Sequence, residues 1–306
     1  MTTVPSCCPS DSLGPAKFDA GPSVGVIREM EASGNQAKMN IYITPPGSLS
    51  QSISKSKSKS KSKSKSKRVV VVFSDVYGYS SGLHFQFADA LAKRIGGSVV
   101  VPDLFRGSPC MQPWSLFGAK VGGALGFPAM LFRAKFWYHP MYVNTAITDF
   151  ILPWLRRVSS IKNVEFSCVG FCFGGWVIGK TMGHGVPWKC GVGIHPAFNL
   201  EQIHGGTESS LAKGVLSIPY FLMPAGNDSK QIKVGGTVTA ILAKARNVKE
   251  SQVSLEFPEM SHGWVPRGNP EDDNIRNAQN KALEKTAEFI LKHHILNDEN
   301  GCESKM

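Results

Sequence analysis

Short continuous apolar runs punctuate this chain at 69–73, 98–101, 164–169, 191–194, 220–223 and 253–257. The run Val69-Val70-Val71-Val72-Phe73 has no polar interruption, as expected of a strand buried on both faces. Longer stretches at 83–94, 144–158, 176–183, 235–246 and 274–293 read as helices between them. Strand and helix alternate without an internal repeat. The pattern predicts one α/β domain: a doubly wound, mostly parallel sheet with helices on both faces.

A further strand is expected at 38–44, ended by Pro45-Pro46-Gly47. A Ser-Lys alternation separates it from the valine run. Two strands around a polar low-complexity filler are most simply a hairpin with an inflated tip, because loop-closure entropy grows slowly with length. The domain is therefore expected at 25–296, with the insertion at about 48–68. Residues 1–24, rich in Pro, Ser and Gly, read as a loosely ordered arm, and 297–306 as a tail. The segment 110–139 breaks the rhythm; apolar, aromatic and glycine-rich, it fits a cover over a pocket. Its Phe136-Trp137-Tyr138 is read as packing.

Charge changes the picture in one place. The formal net charge is +11, yet seven lysines (Lys55, Lys57, Lys59, Lys61, Lys63, Lys65 and Lys67) and Arg68 carry most of it. Basicity thus belongs to one segment and not to the fold. A solvated loop is the expected state of that tract; attraction of RNA or anionic lipid, blind to sequence, is the alternative. The seven cysteines are Cys7, Cys8, Cys110, Cys168, Cys172, Cys190 and Cys302. An odd number in a long chain without paired CxxC knuckles argues against a zinc framework and for a reducing compartment. No basic start is followed by an apolar stretch in the first thirty residues, and the run 121–132 is too short to span a bilayer. The expectation is a cytoplasmic protein without a membrane span.

The candidate chemistry centres on Gly170-Phe171-Cys172-Phe173-Gly174-Gly175, which joins a buried-type strand to a helix. Small residues two before and two after an apex residue are what a nucleophile elbow needs, since the backbones approach closely. Cys172 occupies the apex, and the helix amino terminus behind it favours thiolate. A nucleophile of this kind needs a base, and the base an orienting acceptor. Asp228 follows the strand at 220–223, and His262 follows the run at 253–257, so both lie beyond strand carboxyl ends in the order nucleophile, acid, histidine. His195, after the strand at 191–194, is the rival base but precedes the acid. His184, His204, His293 and His294 read as solvated or structural.

Together the elbow, Asp228, Ser261-His262-Gly263, Ser74-Asp75-Val76-Tyr77-Gly78 and Pro102-Asp103-Leu104-Phe105-Arg106-Gly107 resemble the dienelactone hydrolase family over roughly residues 20–295. The Cys7-Cys8-Pro9 start is similar to eukaryotic members. The resemblance implies an α/β-hydrolase fold and a Cys172-His262-Asp228 triad acting on small esters or lactones, with no metal or organic cofactor. It implies oxyanion-hole N–H groups from Val76 and Phe173. Asp75 stands where members carry a glutamate that tunes the nucleophile, one methylene shorter here. Arg106 and Arg267 are candidates for holding a substrate carboxylate. The alternatives are a general esterase or thioesterase on the same triad, or a non-catalytic scaffold whose Ser-Lys tract binds acidic partners. A monomer and a dimer both remain open, and no specific nucleic acid is expected.

Overall fold

Alternate residues of the valine run divide between two faces of a sheet. Val69, Val71 and Phe73 enter one apolar core, Val70 and Val72 the other. Each valine so buried contributes about 1.5–3 kcal/mol. The computed structural model describes residues 11–13, 21–31, 38–45, 67–107, 145–159, 164–182 and 184–299. Within them lie β1 (Val26–Glu31), β2 (Lys38–Ile43), β3 (Lys67–Phe73), β4 (Ser98–Pro102), β5 (Val164–Phe171), β6 (Trp188–Ile194) and β7 (Tyr220–Met223). They form a single sheet in the order β1-β2-β4-β3-β5-β6-β7. From β4 to β7 all pairs are parallel, whereas β1-β2 and β2-β4 are antiparallel. The mostly parallel, doubly wound sheet expected from the pattern is what the chain forms.

Helices α2 (Leu152–Ser159), α3 (Phe173–Met182), α4 (Glu208–Gly214) and α5 (Thr237–Arg246) supply residues to the core that holds Val71. Helices α1 (His84–Ile95), α6 (Trp264–Arg267) and α7 (Asp273–Glu299) close the other face. The expected 144–158 helix is α2 preceded by a π-helical segment, Ala146–Ile151.

Three local readings are corrected. β2 and β3 do not form a hairpin: β2 lies between β1 and β4, and β3 between β4 and β5. The apolar run 69–73 of β3 needs neighbours and helices around it, while β2 leaves Lys38 exposed and Asn40 and Ile43 partly exposed and serves nearer the edge. The edge strand β1 went unrecognised because its Val26 and Ile27 are exposed and its remaining residues are mostly charged. Residues 253–257 run beside β7 through only two isolated bridges, Leu222 to Ser254 and Ala225 to Phe257, and form no regular strand. The Ser-Lys tract up to residue 66 and the expected pocket cover at 110–139 lie outside the described residues.

Candidate active site

β3 and β5 pair in parallel with Phe73 opposite Gly170. The segments that follow, 74–78 and 171–175, therefore leave the sheet side by side at its carboxyl end. Cys172 sits at the turn between β5 and α3 with φ 51°, in the left-handed region that costs a residue with a Cβ about 1–3 kcal/mol. Surrounding bonds over-determine this strain. The Cys172 N–H donates to the Ile194 carbonyl at 3.2 Å, and its own carbonyl accepts from Gly175 and Ala197 at 3.0 and 2.9 Å. The two flanking glycines are sterically required. A Cβ on Gly170 would lie 2.4 Å from the Gly174 carbonyl oxygen, and one on Gly174 would lie 2.2 Å from that of Phe73. Cys172 is fully buried, directly before the amino terminus of α3.

The loops after β7 and after Phe257 bring acid and histidine together across 34 residues. His262 Nδ1 lies 2.5 Å from Asp228 Oδ1, and both side chains are buried. A carboxylate can only accept here, so Nδ1 carries the proton and Nε2 presents a lone pair. Nε2 has no hydrogen-bond partner among the described residues. The other Asp228 oxygen accepts the Ala225 N–H at 2.7 Å, which fixes the carboxylate plane. The His262 backbone is anchored at both ends of its residue: its N–H donates to Asn227 Oδ1 at 2.7 Å, and its carbonyl accepts the Leu13 N–H at 3.0 Å. The described part of the amino-terminal arm thus docks on the histidine loop.

His195 is placed beside His262, ring centroids 4.6 Å apart, and also packs against Trp264 and Phe171. Burial, then the neighbouring His262, Arg267 and His84, push its pKa well below the ordinary value. It is a neutral neighbour of His262 and makes no bond to Asp228. His294, read as solvated or structural, lies at the other end of the sheet.

Asp75 and Arg267, assigned separate tasks from the sequence, face each other. Arg267 donates from Nη1 to Asp75 Oδ2 at 2.6 Å, and both are almost fully buried. The Arg267 guanidinium also covers the Tyr77 ring at 4.7 Å. Asp75 Oδ1 accepts the Tyr77 N–H at 2.9 Å. Arg106 has φ 50° in a turn held by Asp103, and its guanidinium lies over Phe150 at 5.4 Å. It is half-buried. Its neighbour Phe105 packs on Phe173, next to the elbow, with centroids 5.3 Å apart.

One participant escaped the sequence reading. His84, the first residue of α1, is fully buried with Nε2 against the Asp75 backbone. Its signal was present: with Phe87, Ala88, Leu91 and Ile95 it continues the buried face of the helix.

Among the described residues, no helix is long and apolar enough to cross a membrane. No curated protein matches the chain. Among solved structures, it is similar to a thermostable esterase from Pseudomonas putida, with TM-score 0.53 and 14% identity over 91% of this chain and 85% of that one. Est1E from Butyrivibrio proteoclasticus follows at TM-score 0.50 and 10% identity, covering 87% and 98%. An acylaminoacyl peptidase from Pyrococcus horikoshii has TM-score 0.51 and 14% identity, covering 89% of this chain and 42% of its own. Likeness at such identities speaks for the α/β-hydrolase fold. The dienelactone hydrolase family model, however, matches residues 57–294. That span runs from β3 through the elbow and both downstream loops, and the chain belongs to the dienelactone hydrolase family, a family of carboxylic ester hydrolases.

Proposed function

We propose that this family member hydrolyses small esters or lactones through Cys172, with His262 as base and Asp228 as its orienting acceptor. The observation that carries the reading is the 2.5 Å bond from His262 Nδ1 to Asp228, at the sheet end where Cys172 is held in a strained turn. The bond fixes the tautomer whose Nε2 can take the thiol proton. The thiolate sulfur then bonds to the substrate carbonyl carbon, and the displaced electron pair gathers on the carbonyl oxygen. Backbone N–H groups of Val76 and Phe173 stabilise that oxyanion. As it collapses, the alkoxide or enolate leaves and takes the proton from His262. Water next gives a proton to His262 and attacks the thioester, and release of the acid restores the Cys172 thiol. A thiol nucleophile suits enol lactones and other esters with good leaving groups, and a reducing compartment such as the cytoplasm.

Recognition of a substrate carboxylate falls to Arg106 in this reading, because Arg267 is spent on Asp75 inside the protein. Loss of a charge-assisted pair costs about 1.5–3 kcal/mol, so Arg106→Ala should raise KM for a dienelactone about 10- to 100-fold and leave p-nitrophenyl acetate unaffected. Equal effects on both substrates would favour a general esterase. The triad itself is tested by labelling Cys172 with a thiol-selective reagent across pH, in the wild type and in His262→Ala. Equal, slow labelling in both would overturn it.

A further inference from the structure

Buried beneath the 74–78 loop, His84 has no part in the scheme above, yet its ring touches both segments that the scheme uses. His84 Nδ1 lies 2.5 Å from the Ser81 carbonyl oxygen. A carbonyl only accepts, so the proton is on Nδ1. Nε2 is then the acceptor, and it receives the Asp75 N–H at 3.4 Å. The same ring packs edge-on against Phe171, the residue before Cys172, with centroids 5.3 Å apart.

Asp75 is the residue on which the loop hinges. Its N–H goes to His84, its carbonyl accepts the Gly78 N–H at 3.2 Å, and its carboxylate accepts from Tyr77 and Arg267. The peptide from Asp75 to Val76 is trans, so the Val76 N–H runs antiparallel to the Asp75 carbonyl. With that carbonyl turned inward to Gly78, the Val76 N–H is directed out of the turn. Its direction is therefore set by the orientation of the Asp75 residue, and among the described residues His84 holds the amide end of Asp75.

We propose that His84 is a positioning residue for the oxyanion-stabilising N–H of Val76, acting as the neutral Nδ1–H tautomer wedged between the 74–78 loop and the elbow. This rests on the reading of Cys172 and Val76 given under the proposed function. The charged groups around the ring are Asp75, with Oδ2 at 3.8 Å from Nε2, and its partner Arg267. A second proton on Nε2 would remove the acceptor for the Asp75 N–H and set His84 against Arg267 for the same carboxylate oxygen.

The test separates oxyanion stabilisation from nucleophile reactivity. Alkylation of Cys172 by iodoacetamide needs the thiolate but forms no oxyanion, whereas turnover of p-nitrophenyl acetate needs both. For His84→Leu we expect kcat to fall about 10- to 100-fold, with KM and the Cys172 alkylation rate, read by mass spectrometry, within about twofold of wild type. His84→Gln, which keeps one donor and one acceptor, should recover most of kcat. If His84→Leu does not fold, as judged by thermal melting, His84→Asn, too short to reach Asp75, should show the same loss. Alkylation falling in step with turnover, or turnover unchanged in His84→Leu and His84→Asn, overturns the proposal. Separately, ester turnover that survives full alkylation of wild-type Cys172 would overturn the cysteine mechanism and, with it, the role given to His84.

Discussion

Two groups that each pair a histidine with a carboxylate stand toward opposite ends of β5. The loops beyond the carboxyl ends of the strands hold the His262–Asp228 pair, and Cys172 lies at the carboxyl end of β5. Toward the amino end, Ser167 Oγ lies 2.8 Å from His294 Nε2, and His294 Nδ1 lies 3.0 Å from Glu165 Oε2. On distances alone the second group is an acid-histidine-hydroxyl relay as complete as any. Their surroundings differ. Ser167 is inside β5, in register with Val70 on one side and at a register shift in the pairing with β6 on the other, and shares its hydroxyl with Cys190 Sγ at 3.3 Å. It precedes no helix and bears no backbone strain. Cys172 stands on a left-handed turn, before α3 and beside the loop that follows β3. A relay moves protons wherever it forms. Nucleophilic chemistry also needs an apex residue held on a sharp turn before a helix, and β5 leads into such a turn at its carboxyl end. The amino-end group ties α7 to the sheet. There burial lowers the His294 pKa, while Glu165, despite burial, is drawn below its usual range by Lys189 and His294.

The largest expected contrast is between the two hydroxyl- or thiol-bearing residues. Cys172→Ala should reduce ester turnover by about 10⁴-fold or more, whereas Ser167→Ala should keep kcat within about twofold. Comparable losses in both would erase the distinction. The acids sharpen it. Asp228→Asn should cost about 10⁴ in kcat through loss of the correct tautomer. Glu165→Gln should leave kcat in place and lower stability by about 1–2 kcal/mol, seen as a shifted urea midpoint.

A smaller effect concerns pH. Burial holds the pKa values of His84 and His195 below the ordinary 6.5. Above that pH both states of the protein are neutral at these rings. As pH falls below it, the unfolded chain takes up protons that the folded one refuses, so stability drops by up to about 1.4 kcal/mol per pH unit for each ring. Urea midpoints should therefore fall between about pH 6.5 and 5, and His195→Gln should flatten that slope. Smallest of all is deletion of residues 51–66, which should leave turnover and melting temperature nearly unchanged, since shortening such a connection alters closure entropy by about 1 kcal/mol or less. A loss of binding to RNA or anionic vesicles in that variant, with intact hydrolysis, would assign the tract a partner.

Much of the carboxyl-end site was legible because each part has a local signature. An uninterrupted valine run marks an inner strand, and spaced glycines mark a turn that only their missing Cβ atoms permit. Asp228 and His262 follow apolar runs that end at one edge of the sheet. The residue-by-residue pattern therefore determined the fold class, the glycine-flanked turn at Cys172 and the two loops that bring Asp228 and His262 together. Tertiary structure alone decided which strand neighbours β2, that Arg267 faces Asp75 from 192 residues away, and that His294 meets Ser167 across 127. It also decided that His84 reaches the Asp75 peptide. The physical reason is range. Periodicity and steric demands act within a few residues and leave their mark on neighbours in sequence. Pairings of buried charges and imidazoles depend on which surfaces the packed helices bring together, and no local pattern encodes that.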